Sequence, residues 1–404
     1  MKICKFVLII ILILATFSPI CFADDYSYTD EIEESNILDT YIESSKEPIT
    51  NSKNIVVIDR KTLSVLYEKS AYEKVPMAST TKIMTCIIAL ENSDLSKIVT
   101  ISKKASSIHG STLGIKENMQ ISMKDLLYGL MLRSGNDCAV AIAEEISGSV
   151  ENFSNLMNNK AKELNLSNTN FVTPHGLDDP NHFTTAYELA LLTNYALKNE
   201  TFKEIVNTKT YTFLFDGYSK TINNTNELLG NVTGVYGVKT GFTFEAGRCL
   251  VSACNQNNLD IITVVLGANT KKIRTQDSYN LIKYVCNNFQ YINVSKTINE
   301  NFEKFNSYIQ NSIILEKTSI LPKLKLETLQ NYNFPLKTDG NLKLNTKIYT
   351  IKNFSHKLTF GEQVGTLYLY NNNDLLCESK IFLDNKLEKN DYKYYFREIL
   401  KCFK

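Results

Sequence analysis

Ala78-Ser79-Thr80-Thr81-Lys82-Ile83-Met84-Thr85 decides how the rest of this chain is read. Pro76 stands before it, and the apolar run Ile83 to Leu90 after it has helical character. Residues three apart share a helix face, so Ser79 falls beside Lys82 in the first turn, at the positive end of the helix dipole. A serine hydroxyl is a weak nucleophile until a neighbouring base takes its proton. A lysine amine whose charged form is disfavoured by burial or by a second cation is such a base. Ser-x-x-Lys alone also describes an ordinary helix start with a capping serine. What accompanies the pair decides between the two.

Two other stretches accompany it. Ser122-Met123-Lys124-Asp125 resembles a capping box and opens a helix through Leu132, which stops at Arg133-Ser134-Gly135-Asn136. A second helix follows over Asp137 to Ile146 and ends at Gly148. Ser134-Gly135-Asn136 therefore occupies a turn between helices. Farther on, Lys239-Thr240-Gly241 lies in a run from Gly234 to Thr243 with the period of a strand. Each has a plain structural reading, as a helix-to-helix turn or as a strand end with a close backbone approach. In this order, on a helix, a turn and a strand, the three match the serine-lysine acyl-transfer signature, with Ser-Gly-Asn in place of Ser-Asp-Asn. In that chemistry Ser79 attacks a carbonyl and Lys82 takes its proton, helped by burial and by the charge of Lys239. Ser134 relays a proton to the leaving nitrogen, and Asn136 orients Lys82 and holds the substrate amide. A strand through Thr240 and Gly241 can dock an extended peptide, and the backbone N–H groups of Ser79 and Phe242 are the expected oxyanion donors.

The surrounding chain organises around these parts. Asn54 to Asp59 and Leu63 to Tyr67 read as a hairpin, and helices cover most of 96 to 200, including Val150–Leu164 and Thr184–Leu197. Between those two helices, Thr173-Pro174-His175-Gly176-Leu177-Asp178-Asp179-Pro180 is a loop. Strands are expected at 210–215, 234–243, 248–254 and 259–266, then a helix over 276–288. The fold expected is α+β: an antiparallel sheet drawing strands from both ends of the domain, flanked by helices, with a helical subdomain inserted. Residues 291–385 alternate with period two and read as a small all-β domain. Within them stand Lys347-Ile348-Tyr349-Thr350-Ile351 and the run Gln363 to Tyr370.

Both termini carry separate signals. Lys2, Lys5, the apolar stretch Phe6 to Ala15 and Cys21-Phe22-Ala23 read as a secretory leader over 1–23. Residues 24–50 hold nine acidic residues against Lys46 alone and read as a flexible spacer. At 386–404, Tyr392, Tyr395, Phe396, Ile399, Leu400 and Phe403 form one helical stripe opposite Lys393, Arg397, Lys401 and Lys404. That suits a helix lying on an anionic membrane surface. A formal net charge of +1 over 404 residues gives no basic excess for nucleic acid. Nine irregularly spaced cysteines and four scattered histidines give neither a disulfide framework nor a metal site, and no cofactor is expected.

Pro76 to Thr85, Ser134-Gly135-Asn136-Asp137-Cys138-Ala139, Pro174-His175-Gly176-Leu177-Asp178 and Gly237-Val238-Lys239-Thr240-Gly241-Phe242-Thr243 together resemble the low-molecular-mass penicillin-binding proteins of the serine-type D-alanyl-D-alanine carboxypeptidase family. The resemblance runs over roughly 52 to 290, and more weakly through the β domain and the tail. It implies a penicillin-recognising fold with Ser79 as the acyl-enzyme nucleophile, Lys82 as proton acceptor and Ser134 as the second active-site serine. Lys239, Thr240, Gly241, Thr243, His175 and Arg274 would contact substrate, Arg274 as a cation for a C-terminal carboxylate. The implied action is removal of the terminal D-alanine from peptidoglycan stem pentapeptides outside the cytoplasmic membrane, with β-lactams as inhibitors. Tyr236 and Arg248 depart from the family pattern. Endopeptidase or transpeptidase action, a β-lactamase and a non-catalytic β-lactam sensor are the alternatives. The Pro174 loop offers no recognisable deacylating glutamate for the β-lactamase, and the intact set of Ser79, Lys82, Ser134, Asn136 and Lys239 argues against the sensor.

Overall fold

Asn54-Ile55-Val56-Val57-Ile58-Asp59 is apolar and β-branched through its centre, and every residue of it is buried, as the middle of a sheet requires. This strand, β1, pairs antiparallel with β2 (Val65–Lys69) on one side. On the other it pairs with Leu259–Ala268, Asn54 opposite Leu266 and Asp59 opposite Ile261. The N-terminal hairpin thus returns to the last strands of its domain, as the sequence requires. A computed structural model describes residues 47–215, 218–338 and 342–402. The expected leader, most of the acidic spacer, Phe403 and Lys404 lie outside the described residues.

Between the two groups of strands run α1 (Lys82–Asn92), β3 (Ile98–Thr100), α2 (Lys103–Ser106), β4 (Gln120–Ser122), α3 (Met123–Leu132), α4 (Asn136–Ser147), α5 (Val150–Glu163), α6 (Ala186–Ala196) and α7 (Glu200–Asn207). The β5–β6 hairpin follows (Thr210–Phe215, Tyr218–Asn223), then β7 (Val235–Thr243), β8 (Gly247–Gln256), β9 (Leu259–Ala268) and α8 (Lys271–Asn288). The main sheet has the order β2-β1-β9-β8-β7, which leaves β7 on an edge. Nearly all of α1 is buried, so it is the central helix of the insertion. Ser122 caps α3 by accepting from the Asp125 N–H at 3.1 Å, and α4 ends on Gly148 in the left-handed region. The short α2 and α7 do not stand out in the sequence, because one or two helical turns give too little period.

The chain divides into two compact units at Asn287/Asn288. The second has its own core, with Phe354, Leu367, Leu369, Ile381 and Leu383 fully buried. It is built on β strands as expected, and a helix, α9 (Ser295–Ile309), precedes most of them. α9 buries only Ile298, Phe302 and Ile309, and so sparse a stripe was not legible as a helix. The C-terminal helix, α10, spans Tyr392–Lys401.

Candidate active site

Ser79 sits in a tight 3-10 turn, Ala78–Thr81, immediately before α1. Ala78 holds φ +48°, which L-residues avoid and which the surroundings must enforce. Two glycines permit the packing around this turn. A Cβ on Gly176, itself at φ +87°, would fall 1.9 Å from the Ala78 carbonyl oxygen. A Cβ on Gly241 would lie 3.0 Å from the Ser79 nitrogen. Gly241 thus serves the approach of β7 to the Ser79 turn, the close backbone approach expected of a glycine at this strand position.

Lys82 is fully buried, and its ammonium position is fixed from three sides. Nζ lies 2.9 Å from Ser79 Oγ, 2.8 Å from Asn136 Oδ1 and 2.8 Å from the His175 carbonyl oxygen. Two of these three partners are carbonyl oxygens, which only accept. A neutral Lys82 amine that spends its two hydrogens on them turns its lone pair to the Ser79 hydroxyl.

Asn136, the first residue of α4, is clamped at both ends of its amide. Its Nδ2 donates to the His109 carbonyl at 2.7 Å, which fixes Oδ1 toward Lys82. That amide is therefore engaged within the protein, and orienting Lys82 is the role its geometry serves directly. The next residue, Asp137, was missed in the sequence. Its buried carboxylate accepts from the N–H groups of Leu113, Gly114, Ile115 and Cys138 and so fastens the loop that carries His109. Ser134 holds φ +62°, and its buried hydroxyl has no hydrogen-bond partner among the described residues. The expected bridge from Ser134 to Lys82 is not formed here.

Lys239 is buried on β7, with Nζ 2.9 Å from the Thr240 carbonyl. Thr240 Oγ1 lies 2.7 Å from Thr225 Oγ1, and the Thr225 N–H reaches the Leu132 carbonyl at 3.3 Å. The 224–228 loop thereby bridges β7 and the end of α3. Arg274, 1% exposed, faces Glu227 of the same loop, Nη2 to Oε2 at 3.4 Å; Lys271 also pairs with Glu227. Thr243 donates to Asp178 Oδ1 at 2.5 Å and ties the end of β7 to the His-Gly-Leu loop. Two of the residues expected to contact substrate are engaged within the protein. The His175 ring is buried and accepts the Leu177 N–H on Nδ1 at 3.2 Å, so its side chain fixes the loop while its carbonyl serves the site. Burial and the Lys82 charge push the His175 pKa down to about 3. Thr243 likewise serves the framework.

A third polar chain supports the nucleophile turn. His182 Nδ1 accepts from the Val172 N–H at 2.9 Å, which leaves the proton on Nε2, 2.7 Å from Thr81 Oγ1. Thr81 in turn donates to the Ala78 carbonyl at 2.7 Å. Burial pushes the His182 pKa down to about 4, so this ring is neutral. Glu188 accepts from the Asn168 N–H and the Thr169 hydroxyl, and is committed to that loop. Tyr236 and Arg248, the two departures, are structural: Tyr236 donates to Asp260 and accepts from Arg60, and the Arg248 guanidinium stacks 3.9 Å from the Phe242 ring centroid.

A serine hydroxyl against a buried lysine amine, with no histidine beside it and an edge strand alongside, has the geometry of a serine-lysine acyl-transfer enzyme. Residues 42–270 match the family described as D-alanyl-D-alanine carboxypeptidase, and the chain belongs to this family. It is 32% identical to the D-alanyl-D-alanine carboxypeptidase DacF of Bacillus subtilis over 97% of this chain and 96% of that protein. It is 37% identical to the DacC carboxypeptidase of Escherichia coli, over 59% of this chain and 62% of the relative. Among solved structures, penicillin binding protein 5 from Haemophilus influenzae superposes with a TM-score of 0.67 at 26% identity, over 85% of this chain and 99% of that one. The Streptomyces K15 DD-transpeptidase gives 0.57 at 32% identity, covering 59% and 98%.

Proposed function

We propose that this chain hydrolyses the terminal D-Ala-D-Ala bond of peptidoglycan stem pentapeptides through an ester on Ser79, releasing D-alanine and so limiting cross-linking. The bonding of Lys82 carries the reading: two carbonyl acceptors and the Ser79 hydroxyl surround one buried amine. Ser79 Oγ attacks the carbonyl carbon of the penultimate residue while its proton passes to Lys82 Nζ. The oxyanion forms against the N–H groups of Ser79 and Phe242. As the C–N bond breaks, the leaving amine of D-alanine takes a proton from Lys82, relayed through the Ser134 hydroxyl. Water then attacks the ester, Lys82 accepts its proton, and Ser79 regains a hydrogen. Lys239 and Arg274 supply positive charge for the substrate's free carboxylate, and the edge of β7 receives its backbone. Penicillins acylate the same oxygen.

The test is direct. Purified protein should release D-alanine from a soluble peptide ending in D-Ala-D-Ala and take up a fluorescent penicillin, and Ser79→Ala should do neither. Labelling without D-alanine release would favour the sensor. Transfer of the acyl group to an amine in preference to water would favour a transpeptidase, the activity named for the Streptomyces neighbour.

The reading includes export and a surface anchor. Among the described residues no helix is long and apolar enough to cross a membrane. The stripe Tyr392, Tyr395, Phe396, Ile399 and Leu400 on α10 is more than half exposed at each position, which supports α10 as an interfacial helix at the outer face of the cytoplasmic membrane. Deleting residues 390–404 should move the protein to the soluble fraction; unchanged fractionation would remove this element of the proposal.

A further inference from the structure

The two tyrosine-bearing runs of the second unit form β14 (Leu344–Thr350) and β16 (Gln363–Asn371), counting in chain order through β10 (Phe289–Asn293), β11 (Ile314–Glu316), β12 (Leu324–Leu326), β13 (Asn333–Lys337) and β15 (Asn353–Ser355). With β17 (Asp374–Leu383) and β12 they make a sheet of order β12-β17-β16-β14. One face is core, where Leu367, Leu369 and Ile381 are fully buried. Alternation along a strand obliges the intervening residues to point the other way. That other face is where Tyr349, Tyr368 and Tyr370 stand, around an open cleft of about 650 Å³.

The arrangement on this face interleaves rings with hydrogen-bonding groups. Tyr349 is paired with Thr366, and Tyr368 with Lys347 on one side and Glu378 on the other. The Tyr349 and Tyr368 rings meet edge to face, centroids 6.0 Å apart, and the Lys347 ammonium lies 5.0 Å from the Tyr370 ring centroid. Tyr349 is 61% exposed. From Tyr349, level with Thr366, to Tyr370 is four residues along the sheet, or about 14 Å at about 3.4 Å per residue. Gly365 lines the cleft, and a Cβ there would meet the Tyr349 carbonyl at 2.4 Å.

We infer that this face is a glycan-binding platform that takes the N-acetylated sugar backbone of peptidoglycan. The inference rests on the proposed function for the identity of the polymer, since the stem peptides are carried on such strands. The chemistry of the face selects the ligand. A pyranose offers flat C–H faces to aromatic rings, and hydroxyl and acetamido groups to the threonine, lysine and carboxylate between them. Glu378 stands on this face with Lys347 opposite Tyr368 and Lys380 opposite Thr366, so both signs are interleaved with the rings, which suits a polar, uncharged polymer. A lipid-facing patch would instead be aliphatic with a one-signed basic rim, the pattern of α10. Holding the polymer on a second unit raises the effective concentration of its stem peptides for the first.

The test uses the full chain carrying Ser79→Ala and insoluble glycan strands from which an amidase has removed every stem peptide. The chain should sediment with these strands, and Tyr349→Ala/Tyr368→Ala should weaken that association about tenfold. Tyr349→Phe/Tyr368→Phe, which keeps both rings, should retain most of it and controls for folding. With Ser79 restored, the alanine pair should turn over a soluble D-Ala-D-Ala peptide at the parental rate. No sedimentation, or equal sedimentation of the alanine pair, would overturn the platform. Loss of binding to anionic vesicles, or a shift from dimer to monomer on the same substitutions, would reassign the face to lipid or to a second copy. Failure of D-alanine release in the parent would sink the hydrolytic reading and leave the glycan result standing.

Discussion

Around Ser79, single polar atoms hold a strained turn in its working shape. Ala78 at φ +48° is held by Thr81, whose hydroxyl donates to the Ala78 carbonyl while lying 2.7 Å from His182 Nε2. Thr81→Val keeps the shape and removes both bonds. Loss of about 1–2 kcal/mol of positioning predicts penicillin acylation slowed about tenfold, with Thr81→Ser restoring the rate. Equal rates in all three proteins would show the chain to be incidental. Asp137 acts at one further remove. Asp137→Ala strands four backbone N–H groups, three of them in buried bonds, and a loss of about 3 kcal/mol in the urea unfolding of the first unit is expected. Neither role was legible beforehand. Ser79, Lys82, Ser134, Asn136 and Lys239 were legible as candidates because serine-lysine chemistry calls for those residue types on a helix, a turn and a strand. Asp137, Glu227 and His182 act on groups distant in sequence, and no period or spacing points to such partners.

At the scale of elements, two pieces of chain converge on the Ser79 turn, and a glycine in each sets how closely they meet. Gly176 brings the 174–180 loop onto Ala78, and Gly241 brings β7 onto Ser79. The two sites predict different outcomes for the same substitution. In Gly176→Ala the methyl would stand 1.9 Å from a backbone oxygen, at a positive φ that costs a further 1 kcal/mol or so. Penicillin labelling should be lost, and the first unit should unfold at clearly lower urea. In Gly241→Ala the contacts are 3.0 to 3.2 Å at ordinary φ, so a shift of a few tenths of an ångström accommodates them. That variant should fold and label slowly, since its methyl displaces the strand and turn that carry the proposed oxyanion donors. Equal labelling by both variants would contradict this ranking. The element pattern itself was largely readable, because β1, α1, α3 and α4 are continuous, mostly apolar runs bounded by turn and capping residues. α9 escaped notice because it buries only three side chains.

Across the whole molecule, the two units each have a core, so unfolding need not be one transition, and the histidine effect belongs to the first. His175 and His182 lie there, buried and neutral, with pKa values pushed down to about 3 and about 4, burial being the larger cause in each. In the unfolded chain both return to about 6.5. Above that value neither state binds the proton and the pair adds no pH dependence. Below it the unfolded chain takes up protons that the folded one refuses, so stability falls as pH drops, down to the folded values near 3 to 4. The slope is about 1.4 kcal/mol per pH unit for each ring at full effect. Urea midpoints of the first unit should therefore decline between pH 6.5 and 4.5. His182→Gln removes one titrating group, and the histidine part of that slope should fall by about half even though the variant starts less stable at pH 7. Parallel pH profiles for the two proteins would mean that His182 is charged in the fold, and that Nδ1 does not accept from Val172.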